Sequence, residues 1–95
     1  MASYWVYILA SKRNGTLYTG VTGSLLERVS QHRNKQIPGF TKQYGVTRLV
    51  YCEEYDDIGM AIYREKCIKH WRRSWKLKLI ERHNPQWKDL YFDIS

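Results

Sequence analysis

The sequence predicts an α+β fold, a small antiparallel sheet with helices packed on it. Three observations carry that reading. Residues 4–10 and 17–21 are strand-like runs joined through Asn14-Gly15, a strong hairpin dipeptide. A single further strand-like run, Arg48-Leu49-Val50-Tyr51-Cys52, follows a break at Ile37-Pro38-Gly39-Phe40. Helical start signals stand at Ser24, Asp57 and Ser74, so the element order is ββα–β–αα.

Each element has its own warrant. Tyr4-Trp5-Val6-Tyr7-Ile8-Leu9-Ala10 is β-branched and aromatic, with apolar residues on both faces, which suits a strand covered on two sides. Leu17-Tyr18-Thr19-Gly20-Val21 is the return strand. Ser24-Leu25-Leu26-Glu27 fits a capping box that opens a helix over 25–34. That helix places Leu25, Val29 and His32 on one stripe, with Arg28 on the same face as His32 at i, i+4. Asp57 caps a helix over about 58–72, and Ser74 caps another over about 75–83 that Asn84-Pro85 ends. A short helical turn is expected over Trp87 to Tyr91.

One helical position breaks the pattern. Ile58, Ala61, Ile62, Glu65 and Ile68 recur at i, i+3, i+4 and i+7, so Glu65 falls on an apolar stripe. A carboxylate taken out of water is costly unless it is paired or holds a cation. Glu65 is therefore either a core-edge salt bridge, with Arg64 or Lys69 in reach, or a metal ligand or acid/base group.

Composition narrows the function. The chain has 95 residues, sized for one domain over 1–95, and a net charge of +7. A hydrophobic fraction of 43% excludes a disordered basic tail. No run is long and apolar enough for a membrane span, and the first residues lack the pattern of a signal peptide. Cys52 and Cys67 are outside any CxxC spacing and are expected as reduced thiols of a cytoplasmic protein, a single Cys52–Cys67 disulfide being the alternative. Most of the positive charge lies in residues 64–82, which carry eight Lys+Arg against two Glu. Lys66, Lys69, Arg73 and Lys76 recur at spacings of three and four and share one face if the helix runs on; with Arg72 they are expected to contact DNA phosphates. Trp71 and Trp75 read as core anchors beneath that face, with base stacking as the alternative.

Val6-Tyr7-Ile8, then Tyr18-Thr19-Gly20 eleven residues after Tyr7, then Arg28 ten residues after Tyr18, resemble the signature of the GIY-YIG nucleases, in their stand-alone, single-domain bacterial branch. The resemblance runs from about Tyr4 to Tyr91. It implies a three-stranded antiparallel sheet flanked by helices and hydrolysis of DNA phosphodiesters with one Mg²⁺ or Mn²⁺ ion. By the same resemblance Tyr7 helps activate the attacking water and Tyr18 orients the scissile phosphate or the water. Arg28 holds the phosphate, His32 is a proton acceptor and Glu65 binds the metal. Gly20 and Asn84 support the site.

These residue types suit the chemistry. A guanidinium grips two phosphate oxygens, a hydrated divalent ion can be held by one carboxylate, and tyrosine is a base at neutral pH only with help. The sequence departs from the signature at Trp5, Thr19 and Val21; many repair members carry Lys where Val21 stands, which leaves His32 as the helper of Tyr7. Gly39-Phe40-Thr41-Lys42-Gln43-Tyr44 also resembles the branch, either completing the cleft with Thr41 or Lys42 near the phosphate or, as preferred, forming a plain loop. The expected partner is DNA, single-stranded, branched or nicked, in repair or recombination, cut by a monomer selecting structure rather than sequence. The alternative is a non-catalytic or partner-activated nucleic-acid-binding module of the same fold, with a second protein doing the targeting.

Overall fold

The computed structural model describes residues 2–94. Three strands, β1 (Tyr4–Ala10), β2 (Leu17–Thr22) and β3 (Arg48–Tyr55), form an antiparallel sheet in the order β2-β1-β3. Five helices accompany them: α1 (Leu25–Arg33), α2 (Phe40–Tyr44), α3 (Ile58–His70), α4 (Arg73–His83) and α5 (Tyr91–Ile94). The three-stranded α+β architecture is the one expected.

The central place of β1 explains its composition. Val6, Ile8 and Ala10 pack with Ala61 and Ile68 of α3, Ile80 of α4 and Trp87. Tyr7 and Leu9 point the other way and pack with Leu25 and Val29 of α1, Val46 and Leu49. With both faces covered, a strand reads as a continuous apolar run rather than an alternation. Between β1 and β3 the register shifts: Ile8 opposes Tyr51 but Leu9 opposes Leu49, so Val50 is the extra residue of a bulge. Its carbonyl accepts from Asn84 Nδ2 at 3.1 Å.

Several local expectations are corrected. Ser24 precedes α1 but its side chain caps nothing, and its own N–H, which Glu27 would accept in a capping box, donates to Thr22 Oγ1 at 3.0 Å instead; the capping box does not form. The segment after Pro38 is not a plain loop: α2 lies between two glycines at positive φ, Gly39 and Gly45, the latter as its left-handed C-cap. β3 runs on to Tyr55, where Glu53 accepts from Arg64 Nε at 2.7 Å and from the Tyr55 hydroxyl at 3.0 Å. Asp57 caps α3 as expected, its carboxylate accepting from Met60 N–H at 2.9 Å.

The basic helix does not run on. Trp71 and Arg72 are extended and separate α3 from α4, so Ser74 lies inside α4 and Arg72 takes the N-cap position. The single face expected for Lys66, Lys69, Arg73 and Lys76 is therefore divided between two helices. Trp71 is half-buried against the core, but Trp75 is 50% exposed and is no core anchor. At the C-terminal end the helical turn is Tyr91–Ile94 rather than Trp87 to Tyr91. Trp87 is buried at positive φ, and Asp89 ties the segment down by an ion pair to Arg33 and by accepting from Leu49 N–H at 3.2 Å. Both cysteines are free.

Candidate active site

The hairpin register brings the two motif tyrosines together. Tyr7 opposes Gly20 and Leu9 opposes Tyr18. Because side chains alternate along a strand, Tyr7, Tyr18 and Gly20 share the sheet face that α1 covers. The tyrosine rings lie 6.3 Å apart between centroids. Gly20 is required by close approach: a Cβ there would stand 2.5 Å from both Cζ and the hydroxyl oxygen of Tyr7. Any side chain would push that ring out of place.

α1 supplies the next two residues. Its stripe Leu25, Val29 and His32 is buried as expected, which seats the imidazole over the hairpin with 2% exposure. His32 Nε2 lies 3.2 Å from the Tyr7 hydroxyl, and its ring is 5.5 Å from that of Tyr18. Arg28, one turn earlier, is exposed and lines two adjoining clefts of about 260 and 250 Å³ at the start of α1 and the end of β2. Burial, and then the Arg28 charge, push the His32 pKa below its ordinary value, so the ring is neutral at neutral pH. Tyr7 is 1% exposed, and burial, followed by Tyr18, holds its pKa well above the usual phenol range; Arg28 opposes that rise and Glu65 adds to it.

Glu65 comes from α3, where Ala61, Glu65 and Ile68 form the buried stripe; Ile58 and Ile62, expected on it, are 51% and 37% exposed. Its side chain is about nine-tenths buried and its carboxylate pairs with Lys69 Nζ at 2.6 Å. Lys69 also stands 6.0 Å from the centre of the Tyr18 ring, so this ion pair borders the tyrosine cluster. Arg64, the other candidate partner, turns to Glu53 and lies over Trp71. Among the described residues no three His, Cys, Asp or Glu side chains gather into a metal cluster.

Asn84, Arg73, Lys76 and Arg72 have partners away from the tyrosine cluster. Asn84 spends its carboxamide on backbone, donating to Val50 and Lys88 carbonyls and accepting from Lys88 N–H at 3.0 Å, so it fastens the end of α4 to β3. Arg73 donates to the carbonyls of Asn14 and Gly15 at 2.7 Å each, which pins α4 to the hairpin turn. Lys76 donates to the Lys69 carbonyl at 3.3 Å. Arg72 lies over the Trp75 ring, while Lys66 is exposed. Thr41, named from the sequence only as a candidate neighbour of the phosphate and otherwise as part of a plain loop, instead reaches His32. It is 3% exposed on α2 and its Oγ1 lies 2.9 Å from His32 Nδ1. The signal available was a pair of glycines bracketing five residues; nothing in the spacing linked Thr41 to His32.

Residues 3–78 match the family model described as the GIY-YIG catalytic domain. A UPF0213 protein of Staphylococcus saprophyticus is 39% identical over 80 residues, covering 84% of this chain and 96% of that protein. A UPF0213 protein of Staphylococcus aureus is 38% identical over 81 residues, covering 85% and 98%. The solution NMR structure of a UPF0213 protein from Bacillus halodurans superposes with a TM-score of 0.58 at 26% identity, covering 92% of both chains. No helix among the described residues is long and apolar enough to cross a membrane. With the tyrosine hairpin, the α1 histidine and a sequence match across most of its length, the chain belongs to the GIY-YIG family, whose domain implies a nuclease-type activity on nucleic acid.

Proposed function

We propose that this chain is a divalent-metal-dependent DNA endonuclease that hydrolyses phosphodiester bonds and selects DNA by structure rather than by sequence. The observation that carries the reading is the 3.2 Å contact between the Tyr7 hydroxyl and His32 Nε2. Tyrosine alone is too weak an acid to be a base at neutral pH, and its burial makes it weaker still. A neutral imidazole beside it provides the missing proton acceptor.

Arg28, exposed at the clefts, binds the scissile phosphate through its guanidinium. Tyr18 borders the same cluster and orients the phosphate or the water. As water attacks phosphorus, its proton passes to the Tyr7 oxygen while the Tyr7 proton passes to His32 Nε2. A P–O bond to the water oxygen forms, the P–O bond to the leaving oxygen breaks, and that oxygen takes a proton from solvent to leave as a hydroxyl. Glu65 fits the metal by its chemistry: a buried hard-oxygen donor that already holds a cation, the Lys69 ammonium. Glu65 would hold a Mg²⁺ or Mn²⁺ ion, which would supply positive charge to offset the charge that builds up on the phosphate.

Nicking of plasmid, branched and single-stranded DNA by the purified chain with Mg²⁺ or Mn²⁺ tests this. Activity should vanish with EDTA and in Glu65→Ala; equal trace cleavage by wild type and Glu65→Ala would sink it as contamination. The Glu65–Lys69 pair favours one second reading, a non-catalytic nucleic-acid-binding module in which the carboxylate is already neutralised. DNA binding that is indifferent to Mn²⁺, without cleavage of any of these substrates, would mark that outcome.

A further inference from the structure

We infer that Thr41 is a positioning residue that sets the tautomer of His32, so that the imidazole lone pair faces Tyr7. The inference rests on the reading of Tyr7 and His32 as a proton-transfer pair. It adds α2, a segment outside the family's two tyrosine motifs, to the parts on which that pair depends.

The three side chains form one closed chain. Tyr7, His32 and Thr41 are 1%, 2% and 3% exposed. The Tyr7 oxygen is 3.2 Å from His32 Nε2, and His32 Nδ1 is 2.9 Å from Thr41 Oγ1. No buried side-chain nitrogen or oxygen among the described residues lacks a partner, so water is not needed to complete it. A neutral imidazole has one N–H and one lone pair, and here it meets one hydroxyl on each side. The phenol of Tyr7 is much the stronger acid of the two hydroxyls, so it is the better donor to the lone pair. The N–H then lies on Nδ1 and donates to Thr41 Oγ1.

That polarity is the one proton transfer needs. With the hydrogen on Nδ1, Nε2 is free to accept from Tyr7, and the imidazolium that forms keeps its Nδ1–H bond to Thr41. With the opposite tautomer, an Nε2–H would point at the Tyr7 oxygen and acceptance would be blocked. The other groups around the ring do not choose between the two. Tyr18 from β2 presents its ring at 5.5 Å, and Arg28 on the same helix acts through its charge. α2 is placed to do this by its ends: Gly45 turns the chain back in the left-handed region, and the N–H of Val46 donates to the Thr41 carbonyl at 2.9 Å.

Imidazole ¹⁵N shifts test the inference directly. The chain has three histidines, and His32→Gln assigns the signals of His32. At neutral pH the wild type should show a pyrrole-type Nδ1 and a pyridine-type Nε2. Thr41→Val, which keeps the shape and removes the hydroxyl, should move His32 toward the Nε2–H form, and Thr41→Ser should restore the Nδ1–H form. On cleavage, Thr41→Val should lower kcat about tenfold or more with KM nearly unchanged, while Thr41→Ser stays within about twofold. A wild-type His32 in the Nε2–H form overturns the inference whether or not the valine variant folds, and so does a folded Thr41→Val that keeps the Nδ1–H form. An inactive wild type with the expected tautomers would count against the nuclease reading and leave the role of Thr41 standing.

Discussion

The two faces of β1 make a controlled comparison within one strand. Val6, Ile8 and Ala10 face α3 and α4 and meet aliphatic and aromatic partners. Tyr7, one residue away, faces α1 and meets an imidazole that in turn meets a hydroxyl. All are essentially buried, so burial does not separate them; what they touch does. One face converts removal from water into stability. The other keeps polar groups in a dry setting where each has a partner, which limits the cost and holds their geometry. A period of two thus lets seven residues serve both a core and a candidate active site.

Substitutions at adjacent positions should separate the two faces. Tyr7→Phe should lower cleavage by about 10²–10⁴-fold while the fold is kept, because only the hydroxyl is lost. Ile8→Ala, next to it, should cost about 2–5 kcal/mol of stability by leaving a cavity. Molecules of Ile8→Ala that remain folded should cut DNA at near the wild-type rate. Chemical denaturation and single-turnover cleavage on both variants read the two effects, and a kcat loss in Ile8→Ala as deep as that in Tyr7→Phe would dissolve the distinction between the faces.

Gly20→Ala tests the close packing of β2 against the Tyr7 ring on the α1 face. Its Cβ would stand 2.5 Å from the Tyr7 hydroxyl oxygen, so ring and strand must shift. A stability loss of about 1–3 kcal/mol is expected, together with loss of most cleavage. Stability measured beside activity would show a lone packing defect if the rate survived.

Asn84→Ala belongs to the stability side although it resembles a site residue. Its carboxamide satisfies the bulge carbonyl of Val50 and the backbone of Lys88, so a loss of about 1–3 kcal/mol is expected from unsatisfied buried groups. In a domain of this size each kcal/mol lowers Tm by roughly 4–8 °C. The cleavage rate of the folded variant should change little; a rate loss well beyond the unfolded fraction would return Asn84 to the site.

The smallest effect is one of pH. His32 titrates below its ordinary 6.5 in the folded chain, because of burial and then Arg28. The unfolded chain therefore binds the proton more readily as pH falls. Folded-state stability should be full above about 6.5 and decline below it. His32→Gln should flatten that part of the stability curve, and thermal melts across the window in both proteins would reveal it. An unchanged slope in His32→Gln would assign the decline to other groups.

Much of this was legible in the sequence because it is local. The apolar run of Tyr4–Ala10, the Asn14-Gly15 turn and the Asp57 cap each act over a few residues. Glu65 was legible as an anomaly on an apolar stripe, and Lys69 as one of its two candidate partners. The misread parts are those where local signals compete with distant contacts. Ser24 and Glu27 spell a capping box, yet Thr22 takes the Ser24 N–H. Ser74 marks a helix start, but α4 begins at Arg73, whose side chain is held by the hairpin turn. The C-terminal turn moved because Asp89 binds Arg33 and the backbone of β3.

The sequence by itself determined the strand and helix periods, the motif tyrosines on the two strands of one hairpin and the stripe that buries His32. Those follow from repeats of two and 3.6 residues and from turn chemistry, which need no distant partner. Only the tertiary structure decided that Glu65 pairs with Lys69, that Trp75 stays exposed and that Thr41 closes the chain to Tyr7. His32 and Thr41 are joined across a Pro-Gly break whose length carries no period. Contacts of that kind arise when the packed elements bring two polar groups into one dry space, where each must be satisfied by whatever the fold places beside it.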